Sequence, residues 1–91
     1  MKAEQYNREM DNEIRSKRIF TVAMLRDFGL AYSQDSASGA NWLIGKLQIA
    51  KEILQSGGSI EIAEETPITI SSITDLESWI RQRYPGFSDD V

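Results

Sequence analysis

Two short runs in which isoleucine alternates with other residues limit the fold more than any other part of the chain. Residues 59–71 read SIEIAEETPITIS. This alternation is typical of half-buried strands, and the AEETP segment between the runs predicts a β-hairpin with a loop of about four or five residues. Pro67 lacks an N–H group, so it belongs at the start of its strand or at a sheet edge. We expect four isoleucines to face the core: Ile60, Ile62, Ile68 and Ile70.

A two-stranded hairpin is only marginally stable in water, so it needs further strands or helices to pack against. It must pack on helices, gain a third strand from residues 18–25, or pair with another subunit. The chain has 91 residues, which is enough for one domain and not for two. We therefore expect a single α+β domain over residues 1–91, of order α-α-β-β-α, with the hairpin packed against helices. Residues 86–91 are expected to form a short acidic tail.

Residues 3–32 favour one long helix or two helices in line. On a helical wheel, seven apolar side chains share a face about 100° wide. They are Tyr6, Met10, Ile14, Met24, Leu25, Phe28 and Tyr32. The segment IFTV, residues 19–22, is β-branched and aromatic, and Val22 lies off the helical stripe. Residues 18–25 are therefore left open between helix and strand.

Two further helices are predicted. Residues 39–56 have an amphipathic pattern, and Gly57-Gly58 ends it because glycine adopts left-handed backbone at low cost. Residues 73–84 form the last helix, with Thr74 and Glu77 as a capping box. Its buried stripe is expected to be Leu76, Trp79, Ile80 and Tyr84. We expect Trp79 to anchor the core, and a role in partner binding is the alternative, since tryptophan is enriched at interface hot spots.

The stretch SGANWLIGKLQ, residues 38–48, invites comparison with a phosphate-binding loop. That motif requires four residues between its glycines and a serine or threonine after the lysine. Here five residues separate Gly39 from Gly45, and Leu47 follows Lys46, so we expect no nucleotide site. Lys46 falls within the apolar face of its helix. We expect its ammonium to snorkel to the helix edge, with a carboxylate partner from another segment, or binding to a partner protein, as alternatives.

The composition restricts the chemistry that the chain can perform. It has no His and no Cys, which removes the imidazole base, the thiolate nucleophile and the usual zinc ligands. The acidic residues fall on predicted solvent faces, where too few groups exist to tune a catalytic base. We therefore expect a protein that is not an enzyme and holds no metal and no cofactor. No run is apolar enough for a signal peptide or a membrane span, so a cytoplasmic location is expected.

The negative charge is concentrated at one end of the chain. The net charge is −4 overall, and residues 59–91 carry seven acidic and two basic side chains, a net of −5. Such a field repels nucleic acid and attracts a basic partner. We therefore expect a protein partner with a basic surface, facing Glu61, Glu64 and Glu65 of the hairpin. Lys46 and Trp79 are further candidates for partner contacts.

The function expected is that of an inhibitor or regulator of another protein. Size, acidity and the lack of His and Cys are compatible with accessory proteins of phages or mobile elements. The alternative is a weak DNA-binding transcriptional regulator that uses the basic cluster Arg15, Lys17 and Arg18. Five acidic residues are interleaved with the basic ones in residues 1–28, which weakens that patch. A homodimer is a further option, because a second subunit would extend a small core.

Overall fold

The computed structural model describes residues 3–34 and 37–87, and it has the α+β architecture that the sequence predicts. The elements in chain order are α1 (Ala3–Lys17), β1 (Ile19–Phe20), α2 (Val22–Ser33), α3 (Ala37–Gln55), β2 (Ile60–Ile62), β3 (Ile68–Ile70) and α4 (Ile73–Arg83). The order differs from the prediction in one respect. Residues 3–32 form two helices with a short strand between them.

The break between α1 and α2 lies at residues 18–21. The Arg18 amide still donates to the Ile14 carbonyl, but Arg18 itself has φ 55°, a left-handed conformation that non-glycine residues rarely adopt. Ile19 and Phe20 then run as a strand, and Thr21 caps α2 by accepting a hydrogen bond from the Met24 amide at 3.2 Å. Of the segment left open between helix and strand, only two residues are strand.

This strand completes a three-stranded sheet of order β1-β2-β3. β1 pairs with β2 in parallel, and the Glu61 amide donates to the Arg18 carbonyl at 2.9 Å. β2 and β3 form the predicted antiparallel hairpin, in which Ile60 is paired with Ile70 and Ile62 with Ile68. The hairpin is therefore stabilised in both of the ways that one chain can supply: it gains a third strand, and it packs against helices.

Helix α3 is the centre of the packing and contacts α1, α2, α4 and β2. It begins two residues before the predicted start, and a Schellman motif ends it. Gly57 has φ 90°, its amide donates to the Leu54 carbonyl, and the Gly58 amide donates to the Ile53 carbonyl. Gly58 also sits close to Ile53, because a Cβ at Gly58 would lie 2.9 Å from the Ile53 Cγ2 atom.

The start of α4 corrects the predicted capping box. The N-cap is Ser72, whose hydroxyl accepts from the Asp75 amide at 3.1 Å, and Thr74 lies within the first turn. The helix begins one residue after Ser72, so the third helical position falls on Asp75 and not on Glu77. The buried stripe is as predicted: Leu76, Trp79, Ile80 and Tyr84 are all at most 7% exposed.

The buried side chains form one hydrophobic cluster between the helices and one face of the sheet. It is centred on residues with almost no exposed surface, including Phe20, Phe28, Leu43, Ile62 and Leu76. Phe87, which follows α4, packs against this cluster. The rest of the predicted acidic tail, residues 88–91, lies outside the described residues.

Candidate functional site

Helix α2 exposes large apolar side chains on the face that points away from the core. Val22 is 69% exposed and Leu30 is 55% exposed, whereas Met24, Leu25 and Phe28 of the same helix are buried. Val22, Arg26 and Leu30 follow one another at intervals of four residues, so they lie within about 80° of the helix circumference. We call these three residues the outer stripe of α2. Its apolar members have no cover within the described part of the chain.

An open groove runs beside the start of this stripe. It has a volume of about 860 Å³ and lies between α2, the hairpin loop and the end of α4. The residues that line it are Val22, Leu25, Arg26, Ala63, Glu64, Glu65, Thr66, Ile68 and Arg83. We call it the hairpin groove. Its lining combines apolar side chains with charges of both signs, as the surfaces that bind other proteins do.

Ile68 contributes to this groove because the prediction that all four isoleucines are buried is wrong for one of them. Ile60, Ile62 and Ile70 are at most 1% exposed, but Ile68 is 37% exposed. Ile68 is paired with Ile62 and so belongs to the inner face of the sheet. It stands at the first position of the edge strand, where no further strand covers it, and it therefore opens to the groove.

The three glutamates predicted to face a partner are not equivalent. Glu64 accepts from an Arg83 guanidinium nitrogen at 2.5 Å and from the Trp79 indole nitrogen at 3.4 Å, so it ties the hairpin loop to α4. Glu65 is exposed in the groove lining. Glu61 is exposed on the outer face of the sheet, between Ile19 and Thr69. The structure thus brings Glu64 and Glu65 together and places Glu61 on a different face.

Trp79 lies in the core, as its helical spacing predicts. It is 7% exposed, and its ring centroid lies 6.1 Å from that of Phe20 and 5.9 Å from that of Tyr84. Its only polar atom bonds to Glu64, which satisfies the indole N–H. Trp79 therefore supports the hairpin groove from beneath.

Lys46 does not snorkel, and that prediction is wrong. It is 2% exposed, and its ammonium donates to the Asp11 carboxylate at 2.6 Å and to the Asn7 side-chain oxygen. It also lies 5.0 Å from the centre of the Trp42 ring, a cation–π contact. The reason is that α1 packs across α3 and covers the face that carries Lys46. The alternative interpretation, a carboxylate partner from another segment, is confirmed.

The basic cluster considered for nucleic acid lies at the end of α1. Arg15, Lys17 and Arg18 are all exposed. Lys17 pairs with Glu13 at 3.4 Å, an exposed i,i+4 contact of small energetic value. Arg15 and Arg18 have no ion-pair partner in residues 3–34 or 37–87. These cations therefore present positive charge to solvent. None of the three lines the hairpin groove.

A second cleft lies between α1, α2 and α3, with a volume of about 360 Å³. Tyr6, Asp27, Leu30 and Trp42 contribute to its lining, and the Tyr6 hydroxyl donates to an Asp27 carboxylate oxygen at 2.5 Å. This hydrogen bond is the main reason that the pKa of Tyr6 is raised above 10.0, with a smaller effect of burial. We call this space the Asp27 cleft. None of the described residues lines both this cleft and the hairpin groove.

Sequence reasoning missed residues of the outer stripe of α2 and of the Asp27 cleft. Leu30 and Asp27 were not singled out, and Tyr6 was placed on the buried stripe although it is 38% exposed. One signal was present for Val22, which lies off the apolar stripe of the continuous wheel. The sequence leaves this signal open between a strand and a helix. The structure attributes it to the outer face of a second helix.

No group of three or more His, Cys, Asp or Glu side chains is placed to hold a metal ion within residues 3–34 and 37–87. Among the same residues, no helix has the length and hydrophobicity needed to cross a membrane. Comparisons of the chain with protein-family models, with curated proteins and with solved structures found no match. The functional interpretation therefore rests on the geometry of this chain.

Proposed function

We propose that the chain is a non-enzymatic protein-binding module, an inhibitor or regulator that docks on another protein through the outer stripe of α2 and the hairpin groove. One observation carries the proposal: Val22 and Leu30 are 69% and 55% exposed on one side of a helix whose other side is well buried. Exposed apolar surface that adjoins a groove and has charged neighbours is typical of interaction sites.

The arrangement of polar groups supports the same proposal. Arg26, Glu65 and Arg83 surround the apolar part of the groove, and Glu64 is held in place by Arg83. An interface needs such a rim to fix the orientation of the partner. The attraction of a basic partner is then due mainly to Glu61 and Glu65, since Arg83 already neutralises Glu64. An accessory protein of a phage or mobile element would use a small surface of this kind.

A capture experiment tests the proposal. The tagged chain is incubated with a lysate of the cells in which it is native, and retained proteins are quantified for the wild type and for a Val22→Gln/Leu30→Gln variant. A Gln48→Ala/Gln55→Ala variant on the exposed side of α3 is the control. We expect one retained protein, lost with the first variant and kept with the second. Retention that is equal in all three proteins would contradict the proposal, and retention of the chain itself would favour a homodimer.

The second candidate is weak DNA binding through Arg15, Lys17 and Arg18. It is favoured by the exposure of all three cations and by the lack of an ion-pair partner for Arg15 and Arg18 in the described residues. Phosphate contacts give an affinity that falls steeply with salt. A mobility-shift assay with duplex DNA at two salt concentrations tests it. A salt-sensitive shift that disappears in an Arg15→Gln/Arg18→Gln variant would support DNA binding, and no shift at low salt would exclude it.

A further inference from the structure

The Asp27 cleft has the composition of a site for one amphipathic side chain. Its walls include the Tyr6 ring, the Trp42 ring and Leu30, which is 55% exposed. Asp27 is the only charged residue among those that line it in the described part of the chain. A long side chain with an apolar stem and a polar head matches such a lining, because the stem covers apolar surface while the head meets the charge.

Among residues 3–34 and 37–87, no cation lies close to Asp27. Its side chain is 21% exposed, and one carboxylate oxygen accepts the Tyr6 hydroxyl at 2.5 Å. The nearest basic group is Arg26, whose Nε atom lies 3.9 Å from the other oxygen and whose side chain is 71% exposed. An exposed pair at that distance contributes little. The cleft therefore holds a partly desolvated carboxylate whose short hydrogen bond, as far as the described residues show, comes from a neutral donor.

We propose that the Asp27 cleft binds the guanidinium group of an arginine side chain on the partner protein. The guanidinium would pair with the Asp27 carboxylate, and its methylene stem would pack on Leu30 and the Tyr6 ring. The inference rests on the proposed function only in assigning the arginine to a protein partner. It extends that function by naming the kind of residue that the partner presents beside the outer stripe of α2, to which Leu30 belongs.

The chemistry of the lining favours arginine over the other occupants. An anion would be repelled by Asp27, and a neutral apolar group would remove water from the carboxylate without replacing its interactions. Between the two long cations, the planar guanidinium stacks on aromatic rings and binds a carboxylate through two parallel hydrogen bonds. Trp42 acts mainly as a wall, because its ring already contacts the Lys46 ammonium and the edge of Phe28.

The experiment uses small probes, so it does not depend on finding the partner. N-acetyl-arginine amide is titrated into the full chain and followed by NMR, with N-acetyl-citrulline amide as the neutral isostere. We expect a dissociation constant of about 1–10 mM for the arginine probe and binding about tenfold weaker for citrulline. The shifts should be centred on Tyr6, Leu30 and Trp42. Asp27→Asn should weaken binding of the arginine probe about tenfold, whereas the matched exposed-site variant Asp75→Asn should leave it unchanged.

A second readout uses the unmodified chain and so does not depend on the folding of a variant. A bound guanidinium would compete with the Tyr6 hydroxyl for the Asp27 carboxylate. The pKa of Tyr6 should therefore fall when the arginine probe is present. Equal binding of citrulline, tighter binding of N-acetyl-lysine amide, or an unchanged Tyr6 titration would each overturn the proposal. Equal retention of the partner by the wild type and both variants in the capture experiment, with probe binding intact, would instead count against the proposed function alone.

Discussion

Helices α2 and α3 pack against each other, yet α3 buries a lysine while α2 exposes a valine and a leucine. Lys46 is enclosed by α1 and satisfied by Asp11, Asn7 and Trp42. The apolar side chains on the outer stripe of α2 have no comparable cover in the described residues. The charge, which is costly to bury, is buried with partners. The apolar side chains, which would be favourable to bury, are exposed to water.

The difference separates the two helices by role. The buried charge of α3 is satisfied by groups of the same chain, so Lys46 serves stability. The interactions of α2 are complete only on the side that holds Met24, Leu25 and Phe28. Large apolar side chains left open beside a groove gain their burial from a second molecule. On this account, substitutions on α3 and on the inner side of α2 act on folding, and substitutions on the outer stripe act on binding.

The largest effect on stability is expected within α2 itself. Phe28 has no exposed surface and packs edge-on against Phe20 with ring centroids 5.1 Å apart. Phe28→Ala should lower the free energy of unfolding by about 3–5 kcal/mol, through lost burial and the cavity that remains. Leu30→Ala, two positions away, should change it by no more than about 0.5 kcal/mol. Urea denaturation measures both, and similar losses would show that Leu30 is structural.

The stability lost when the Lys46–Asp11 ion pair is broken should depend on which partner is removed. Asp11→Ala leaves the Lys46 ammonium enclosed without its carboxylate, and we expect a loss of about 3 kcal/mol. Lys46→Met fills the same space with apolar atoms, and Asp11 is 27% exposed and can be hydrated, so this loss should stay within about 1 kcal/mol. Urea denaturation again gives both values. Glu13→Ala, which removes an exposed pair with Lys17, is the control. Equal losses for Asp11→Ala and Lys46→Met would mean that Lys46 is hydrated.

A smaller effect should appear in the rate of partner binding. Replacing Glu61 and Glu65 with Gln should slow association by roughly two- to fivefold at low salt, and the effect should fade as salt screens these exposed charges. Glu64→Gln should act differently, because it weakens the contact with Arg83 and so lowers stability. Surface plasmon resonance at two salt concentrations, with the captured partner immobilised, distinguishes them. If the double variant associates at the wild-type rate, the proposal that Glu61 and Glu65 attract a basic partner is wrong.

The sequence predicted elements that local pattern decides. The hairpin isoleucines, the glycine end of α3 and the buried stripe that contains Trp79 follow from spacing or backbone preference alone. It left alternatives open where distant residues decide. Ile19 is a strand residue because it pairs with Glu61, far along the chain, and Lys46 is buried because α1 supplies Asp11. In both cases the local pattern allows the observed outcome but cannot choose it over the alternative.

The outer stripe of α2 was missed for a different reason. Residues 22–33 read VAMLRDFGLAYS, with apolar side chains on almost every side of the helix. Periodicity then indicates which side faces the core, but not whether the opposite side is covered by another element. The helix is broken at Arg18, yet a wheel that continues from α1 already places Met24, Leu25 and Phe28 on the buried face and Val22 off it, as the structure does. What the wheel does not show is that no other element among the described residues covers Val22 and Leu30, which stay 69% and 55% exposed.

The most direct test of the outer stripe as a binding surface uses the absence of cysteine from the sequence. Three single-cysteine variants, Val22→Cys, Leu30→Cys and Gln48→Cys, are labelled with a thiol reagent, first alone and then in complex with the captured partner. All three sites are exposed in the free chain and should react at similar rates. In the complex, labelling at positions 22 and 30 should slow about tenfold or more while position 48 keeps its rate. Protection at position 48, with positions 22 and 30 still reactive, would contradict the assignment of binding to α2.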